Sequence, residues 1–299
     1  MKTIASSSRD AIRASITRRT FLTRLLATGA LAALPTHADP PPLRFGVTPV
    51  MLDDRIGFLN DWSDWLGARL GRPVAFVQRA RYREILDLLL RGQLDLAWIC
   101  GYPYVQHQEA LELIAAPSFQ GRPLYHSYVI VAADSPARAL DELAGQLFAW
   151  ADSDSNSGYL YPRFHLTSQG HDPDRFFRRS FFTWGHPRSV TAVAEGLADG
   201  AAVDGYVWET LARRSPALTA ATRVILRSPA FGFPPLVAGP ALPAAERARV
   251  RAILLDQSRD PAGRALLAEL DLDGFAPVEP ALYADIADMA RQLARSDPA

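Results

Sequence analysis

The sequence predicts an α/β fold in two lobes, each built on a mostly parallel sheet flanked by helices. Three observations carry that expectation. Short apolar runs of strand length alternate with longer segments of helical spacing, which is the rhythm of strand–helix–strand units. The rhythm pauses near Tyr128 and resumes, so there are two such units. With 299 residues and 48% hydrophobic content, the chain is large enough to bury a core in each.

Element by element, Leu43 to Thr48 (LRFGVT) is an apolar run stopped by Pro49, the signature of a buried strand. Arg55 to Leu70 places Ile56, Leu59, Trp62, Leu66 and Leu70 at helical spacing, and Gly71-Arg72-Pro73 ends it. Val74 to Gln78 reads as a second strand, Tyr82 to Arg91 as a helix stopped by Gly92, and Leu94 to Cys100 (LDLAWIC) as a third strand. In the second unit, Gln146 to Trp150, Phe176 to Trp184, Ala201 to Val207 and Thr222 to Leu226 are strands, with a helix over Ser189 to Leu197. Pro234 to Gly239 is a strand leaving that unit, and Pro243 to Leu293 is almost wholly helical in pattern. The expected lobes are 39–128 with 235–299, and 129–234.

The first 38 residues differ from the rest. Arg9, Arg13, Arg18-Arg19 and Arg24 precede the apolar run LLATGALAALP and the small residues Thr36 and Ala38, an export signal too short to span a membrane. Thr17-Arg18-Arg19-Thr20-Phe21-Leu22 resembles a twin-arginine signal, which points to the periplasm as destination. Cleavage after Ala38 removes six basic residues and one acid, so a chain of zero formal charge becomes one of about −5. No basic field points to nucleic acid. Lys2 is the only lysine, which excludes Schiff-base chemistry and a Walker-type phosphate lysine from the folded part. The single cysteine, Cys100, excludes an internal disulfide.

Candidate site residues gather where strands end, the place where open α/β sheets bind ligands. The run Asp152 to Pro162 (DSDSNSGYLYP) lies between a strand and a helix starting near Ser157. Ser155, Asn156 and Ser157 are N-cap residue types, and Gly158 permits close approach of a ligand to the backbone. Such a helix start either caps itself or cradles an anion with free N–H groups and hydroxyls. His186 stands in a second strand-to-helix junction, as a structural hydrogen-bonder or a donor to the same anion. Asp204 ends an apolar strand, as a helix cap or a ligand contact. Tyr82, Tyr102, Tyr104, Tyr125 and Tyr128 suit either a cleft wall or the core. His165 and His171 lack metal-ligand spacing, and neither H-E-x-x-H nor G-x-S-x-G occurs, so no metal, cofactor or hydrolytic centre is expected. Cys100 reads first as a small buried apolar residue, and otherwise as a nucleophile or soft ligand.

Taken in order, LDLAWICGYPY (Leu94 to Tyr104), Ser155-Asn156-Ser157-Gly158-Tyr159 with Pro162, and Gly185-His186 followed by Val193 to Asp199 resemble the phosphate/phosphite/phosphonate-binding proteins of ABC importers. The resemblance covers about residues 43 to 290. It implies a type II periplasmic binding fold, two lobes closing on a ligand about a hinge. It implies that Ser155, Asn156 and Ser157 hold an oxyanion in the motif shared with Gly158 and Tyr159, and that His186 donates to it. Tyr82, Tyr104 and Tyr125 would line the opposite lobe. Asp204, and more weakly Glu209, would stand where relatives bind an amine. Relatives often carry threonine in place of Asn156.

The resulting expectation is a monomeric, non-catalytic periplasmic protein that captures a small phosphonate- or phosphate-like oxyanion and delivers it to a membrane permease. Its alternatives are a ligand-sensing subunit docking on a sensor kinase, a binder of another oxyanion such as a metalloid with Cys100 as ligand, and an enzyme using Cys100 or His186.

Overall fold

Leu43, Phe45 and Val47 alternate into the interior of the first strand, and Phe45 opens an aromatic cluster that continues through Trp62, Phe76 and Phe275. The computed structural model describes residues 40–50 and 56–296, and the expected export signal at 1–38 lies outside them. The first unit runs β1 (Leu43–Val47), α1 (Ile56–Leu70), β2 (Val74–Gln78), α2 (Tyr82–Leu90), β3 (Leu96–Trp98), α3 (Gly101–Gln106) and β4 (Glu112–Ser118). In α1 the buried row Phe58, Leu59, Trp62, Trp65, Leu66 and Leu70 follows the helical period, so one face turns onto the sheet.

A short strand, β5 (Leu124–Tyr125), leads into the second unit: β6 (Ser127–Ala132), β7 (Leu147–Trp150), α4 (Tyr161–Ser168), α5 (Pro173–Phe176), β8 (Arg179–Phe182), α6 (His186–Ala194), β9 (Gly200–Asp204), α7 (Gly205–Arg214), α8 (Pro216–Ala220) and β10 (Thr222–Arg227). The chain returns through β11 (Phe231–Gly232) and finishes with β12 (Leu236–Ala238), α9 (Ala244–Leu255), α10 (Pro261–Glu269), β13 (Gly274–Ala276) and α11 (Ala284–Ser296).

Two sheets result. The first has the order β13-β4-β12-β3-β1-β2 and the second β10-β6-β9-β7-β8. Between them, β5 and β11 pair antiparallel, Tyr125 opposite Phe231, where the chain crosses in each direction. Ser127 and Tyr128 already pair with Asp204 and Val203 in the second sheet, so the crossing comes a few residues earlier than the expected 128/129 boundary. α11 packs on α3 of the first unit and on α4 of the second.

Four details depart from the sequence reading. Parallel pairing is confined to β1 with β2 and β3, and β7 with β8 and β9; the remaining pairs are antiparallel, because β6 and β12, each entering just after a crossing, and β13 run opposite to the other strands of their sheets. The expected strand over Phe176 to Trp184 keeps only Arg179–Phe182, since Asp172 caps a helical turn from Pro173. The expected strand through Val207 stops at Asp204, whose carboxylate accepts the Tyr206 and Val207 N–H groups and starts α7. The helical tail contains a strand, β13, fixed by pairing with β4 rather than by its own three residues. Among the described residues no helix is long and apolar enough to cross a membrane.

Candidate functional site

The site forms where β3, β7 and β9 end. After β7 the chain makes a wide first turn at Asn156–Leu160: Leu160 N–H donates to the Ser155 carbonyl (3.0 Å) and Tyr161 N–H to that of Asn156, i→i+5 bonds in place of i→i+4. Ser155 Oγ accepts the Gly158 N–H at 2.9 Å, so its hydroxyl is a cap. Gly158 has no room for a side chain. A Cβ there would lie 2.4 Å from Ala151 Cβ and 3.0 Å from His186 Cε1, so glycine is what lets the imidazole press against the turn.

Around this turn the polar groups of both units converge. Asn156 N–H points at Cys100 Sγ (3.2 Å), and its Nδ2 donates to the Tyr125 hydroxyl (2.9 Å). Ser127 Oγ donates to the Ser157 carbonyl at 2.6 Å. Tyr82, from the start of α2, adds its hydroxyl within electrostatic reach of Cys100, Tyr125 and Asp204. Three buried atoms here have no hydrogen-bond partner: Tyr82 Oη, Asn156 Oδ1 and Ser157 Oγ. Leaving such an atom unpaired costs about 1–3 kcal/mol, so three in one place is a feature that needs a reason.

Every donor in the cluster is neutral. Burial lowers the His186 pKa to about 3, and its Nδ1 accepts the Asp204 N–H at 3.0 Å, which leaves Nε2 to carry the proton. Burial pushes the Cys100 thiol up to about 11 despite the Asn156 and Tyr102 N–H groups aimed at it. The Tyr82 and Tyr125 hydroxyls are likewise raised by burial. Asp204 is raised to about 7, by burial first, against the opposing N–H bonds of Val207 and Tyr206. Next to Asp204, Val47, Trp98, Phe233 and Leu270 enclose an apolar hollow of about 20 Å³, room for roughly one water.

Ser155, Asn156, Ser157, Gly158, His186, Tyr82, Tyr125 and Asp204 are thus brought together. Tyr125 comes from the crossing ribbon rather than from the wall of the opposite lobe. Tyr104, Tyr159 and Glu209 are not part of the cluster. Tyr104 lies one helical turn beyond Cys100 and packs edge-on against Tyr283 at 5.0 Å, beside Glu279. Tyr159 faces the outside of the turn, between Trp150 and Phe182 with Arg163 over its ring. Both Glu209 oxygens are engaged elsewhere, by the Tyr128 hydroxyl (2.5 Å) and Gln120 Nε2 (2.8 Å). Sequence reasoning undervalued Cys100, which its strand-end position signalled, and missed Ser127, for which no local pattern gave a signal. Among the described residues no group of three or more His, Cys, Asp or Glu is arranged to hold a metal.

The family model for the periplasmic substrate-binding protein of ABC phosphonate transporters matches residues 45–283. The phosphate-import protein PhnD of Mycolicibacterium smegmatis is 29% identical over 158 residues, covering 49% of this chain and 48% of that protein, so the chain spans about half the length of this relative. A binding protein component of an ABC phosphonate transporter from Pseudomonas aeruginosa superposes with a TM-score of 0.79 at 21% identity, over 87% of this chain and 88% of that one. PhnD1 of Prochlorococcus marinus in complex with methylphosphonate does so with a TM-score of 0.77 at 20% identity, over 84% and 98%. The two-lobed fold is that of type II periplasmic binding proteins, and the chain belongs to the family of periplasmic substrate-binding proteins of ABC phosphonate transporters.

Proposed function

We propose that the protein captures a small tetrahedral phosphorus oxyanion, a phosphonate or a phosphate-like compound, between its lobes and hands it to an inner-membrane permease without chemical change. The observation that carries this reading is the set of three buried, unpaired polar atoms, Tyr82 Oη, Asn156 Oδ1 and Ser157 Oγ, converging on a widened helix start. Ligand oxygens in that cluster would pair the hydroxyls. Rotating the Asn156 amide lets Oδ1 take the Tyr125 O–H and turns Nδ2 toward the ligand. His186 Nε2–H adds a further neutral donor. Asp204 sets the protonation the site prefers: protonated it donates to a fully ionised ligand, and ionised it accepts from a ligand O–H or amine. The N-terminal 38 residues would direct export by the twin-arginine route, with the mature protein acting in the periplasm as a monomer.

Import takes precedence over the sensing alternative, because the matched family model is that of a transporter component. Cys100 favours one variation in ligand. Its Sγ lies inside the donor cluster, where a trivalent metalloid hydroxide could condense with the thiol and release water.

Thermal unfolding of the purified protein against phosphate, phosphite, methylphosphonate, sulfate and arsenite tests both. A ligand at 1,000 times its Kd stabilises by about 4 kcal/mol, a rise on the order of 10 °C. A rise with one phosphorus oxyanion supports the main reading. A rise with arsenite alone, lost in Cys100→Ser, replaces it with the metalloid variation, and a flat panel removes both.

A further inference from the structure

The segment DSDSNSGYLYP has a first half that the ligand cradle does not use. Asp152 and Asp154 are almost fully buried, at 1% and 4% exposure, and neither belongs to the donor cluster. Both face the first turn of α2, which comes from the other lobe. Asp152 Oδ2 accepts the Tyr82 backbone N–H at 3.2 Å, a helix cap supplied across the cleft, while its Oδ1 accepts the Asp154 N–H at 2.8 Å. Asp154 Oδ1 accepts from Arg83 Nη2 at 2.7 Å, and Asp154 Oδ2 is buried without a partner. Beside them the Arg81 guanidinium lies 4.3 Å over the Trp184 ring. Trp184 is held at φ +61°, a conformation bulky residues seldom take, with Phe182 stacked beneath it at 5.1 Å.

The charges explain why these contacts matter to an anion site. The cradle itself holds neutral donors, and the acids Asp152 and Asp154 precede it directly in the chain. In an open cleft those carboxylates would repel an approaching anion. Arg81 caps α2 and Arg83 lies in its first turn, so Arg83 meets Asp154, and the Arg81 charge nears Asp152 over the Trp184 ring, only when the lobes come together. The same turn of α2 carries Tyr82, whose hydroxyl enters the cluster while its N–H binds Asp152. Ligand capture and lobe closure therefore share one helical turn.

We propose that Asp152 and Asp154, with Arg81, Arg83 and Trp184, form an electrostatic latch that holds the lobes closed and sets how slowly bound ligand leaves. This rests on the reading above that the ligand binds between the lobes. Asp152 and Asp154 are positioning residues, acting through α2 and Tyr82.

Two readouts on the full chain test it. Stopped-flow binding of methylphosphonate to the wild type, Arg83→Gln, Asp154→Asn and the double variant gives the rates. Each single change should speed release about tenfold with little change in association, and the double variant should release no faster than either. Additive effects, or unchanged release in Arg83→Gln, would overturn the latch. The charge swap Arg83→Asp with Asp154→Arg should restore slow release, and a swap that releases as fast as the single variants counts against it. The second readout needs no ligand. Hydrogen exchange at the Tyr82 amide, bonded only to Asp152, should accelerate about tenfold in Asp152→Asn and in Arg83→Gln, and equal exchange in all three proteins would overturn the proposal. If the wild type does not bind methylphosphonate, the ligand assignment fails, and the exchange measurement alone decides the latch.

Discussion

The two walls of the cleft are built differently. The second lobe supplies Ser155, Asn156, Ser157, Gly158, His186 and Asp204, locked to one another by short local contacts: Ser155 caps the turn, Gly158 admits the imidazole, and His186 accepts from Asp204. The first lobe supplies Tyr82 and Cys100, which have few polar partners of their own there; Cys100 Sγ receives the Asn156 N–H of the second lobe, and the Tyr82 hydroxyl receives nothing. The lesson is a division of labour. On the proposed reading, one wall is preorganised before a ligand arrives, and the other completes the site when it closes.

The sharpest way to break this contrast is to disturb the preorganised wall alone. Gly158→Ala places a methyl 2.4 Å from Ala151 Cβ, a contact that no flexible side chain can yield to. Overpacking of this kind costs about 1–3 kcal/mol. Thermal unfolding should show that loss, and calorimetry should find no measurable binding, since His186 is pushed off the turn. Retained affinity would mean that the wall adapts and is not preorganised.

A second effect of similar size lies in the same wall and is hidden in the wild type. Asp204 is raised to about 7, so between pH 4 and 7 the folded protein holds a proton that the unfolded chain has lost, and stability falls as pH rises. His186 is lowered to about 3, so between pH 3 and 6.5 the unfolded chain holds a proton that the folded protein lacks, and stability rises with pH. Each slope is about 1.4 kcal/mol per pH unit, and over the shared window from about 4 to 6.5 they cancel. Chemical denaturation should show Asp204→Asn gaining stability with pH across that window and His186→Gln losing it. Parallel curves for both variants would place the titrations elsewhere.

Much of this contrast was legible in the sequence, and the illegible part has a common cause. The helix start after β7 was readable because its structure is local: a strand end, N-cap residues and a glycine in consecutive positions. Tyr82 was readable as a residue type but not as the group left unpaired, which depends on what α2 faces. Tyr104 was misplaced because Cys100 caps α3 at the strand end, whereas Tyr104 lies a full turn further along the helix and packs against Tyr283, a contact only the tertiary fold supplies. β13 was invisible because three residues acquire strand character only from their partner β4. The burial of Asp152 and Asp154 left no sign in the sequence, since their partners Tyr82 N–H and Arg83 come from the opposing lobe.

The finest distinction between the walls is kinetic, and it comes from two small deletions. Ser157→Ala removes an unpaired hydroxyl from the preorganised wall, and Tyr82→Phe removes one from the closing wall. Neither hydroxyl makes a hydrogen bond of good geometry, although the Tyr125 hydroxyl lies beside Ser157, so neither deletion should lower stability appreciably, and relief of the buried Tyr82 hydroxyl should raise the melting temperature slightly. Binding should weaken in both, by about 1–3 kcal/mol for Ser157→Ala and about 0.5–1.5 kcal/mol for Tyr82→Phe. The rates should separate them. On the proposed reading the ligand settles first on the second lobe, so loss of the Ser157 hydroxyl lowers the fraction of encounters that are retained as well as speeding release. Tyr82 then joins only after closure, so its loss appears in release alone. Stopped-flow binding of the tightest phosphorus oxyanion would resolve the two, and a slower association in Tyr82→Phe would show that both lobes grip the ligand from the start.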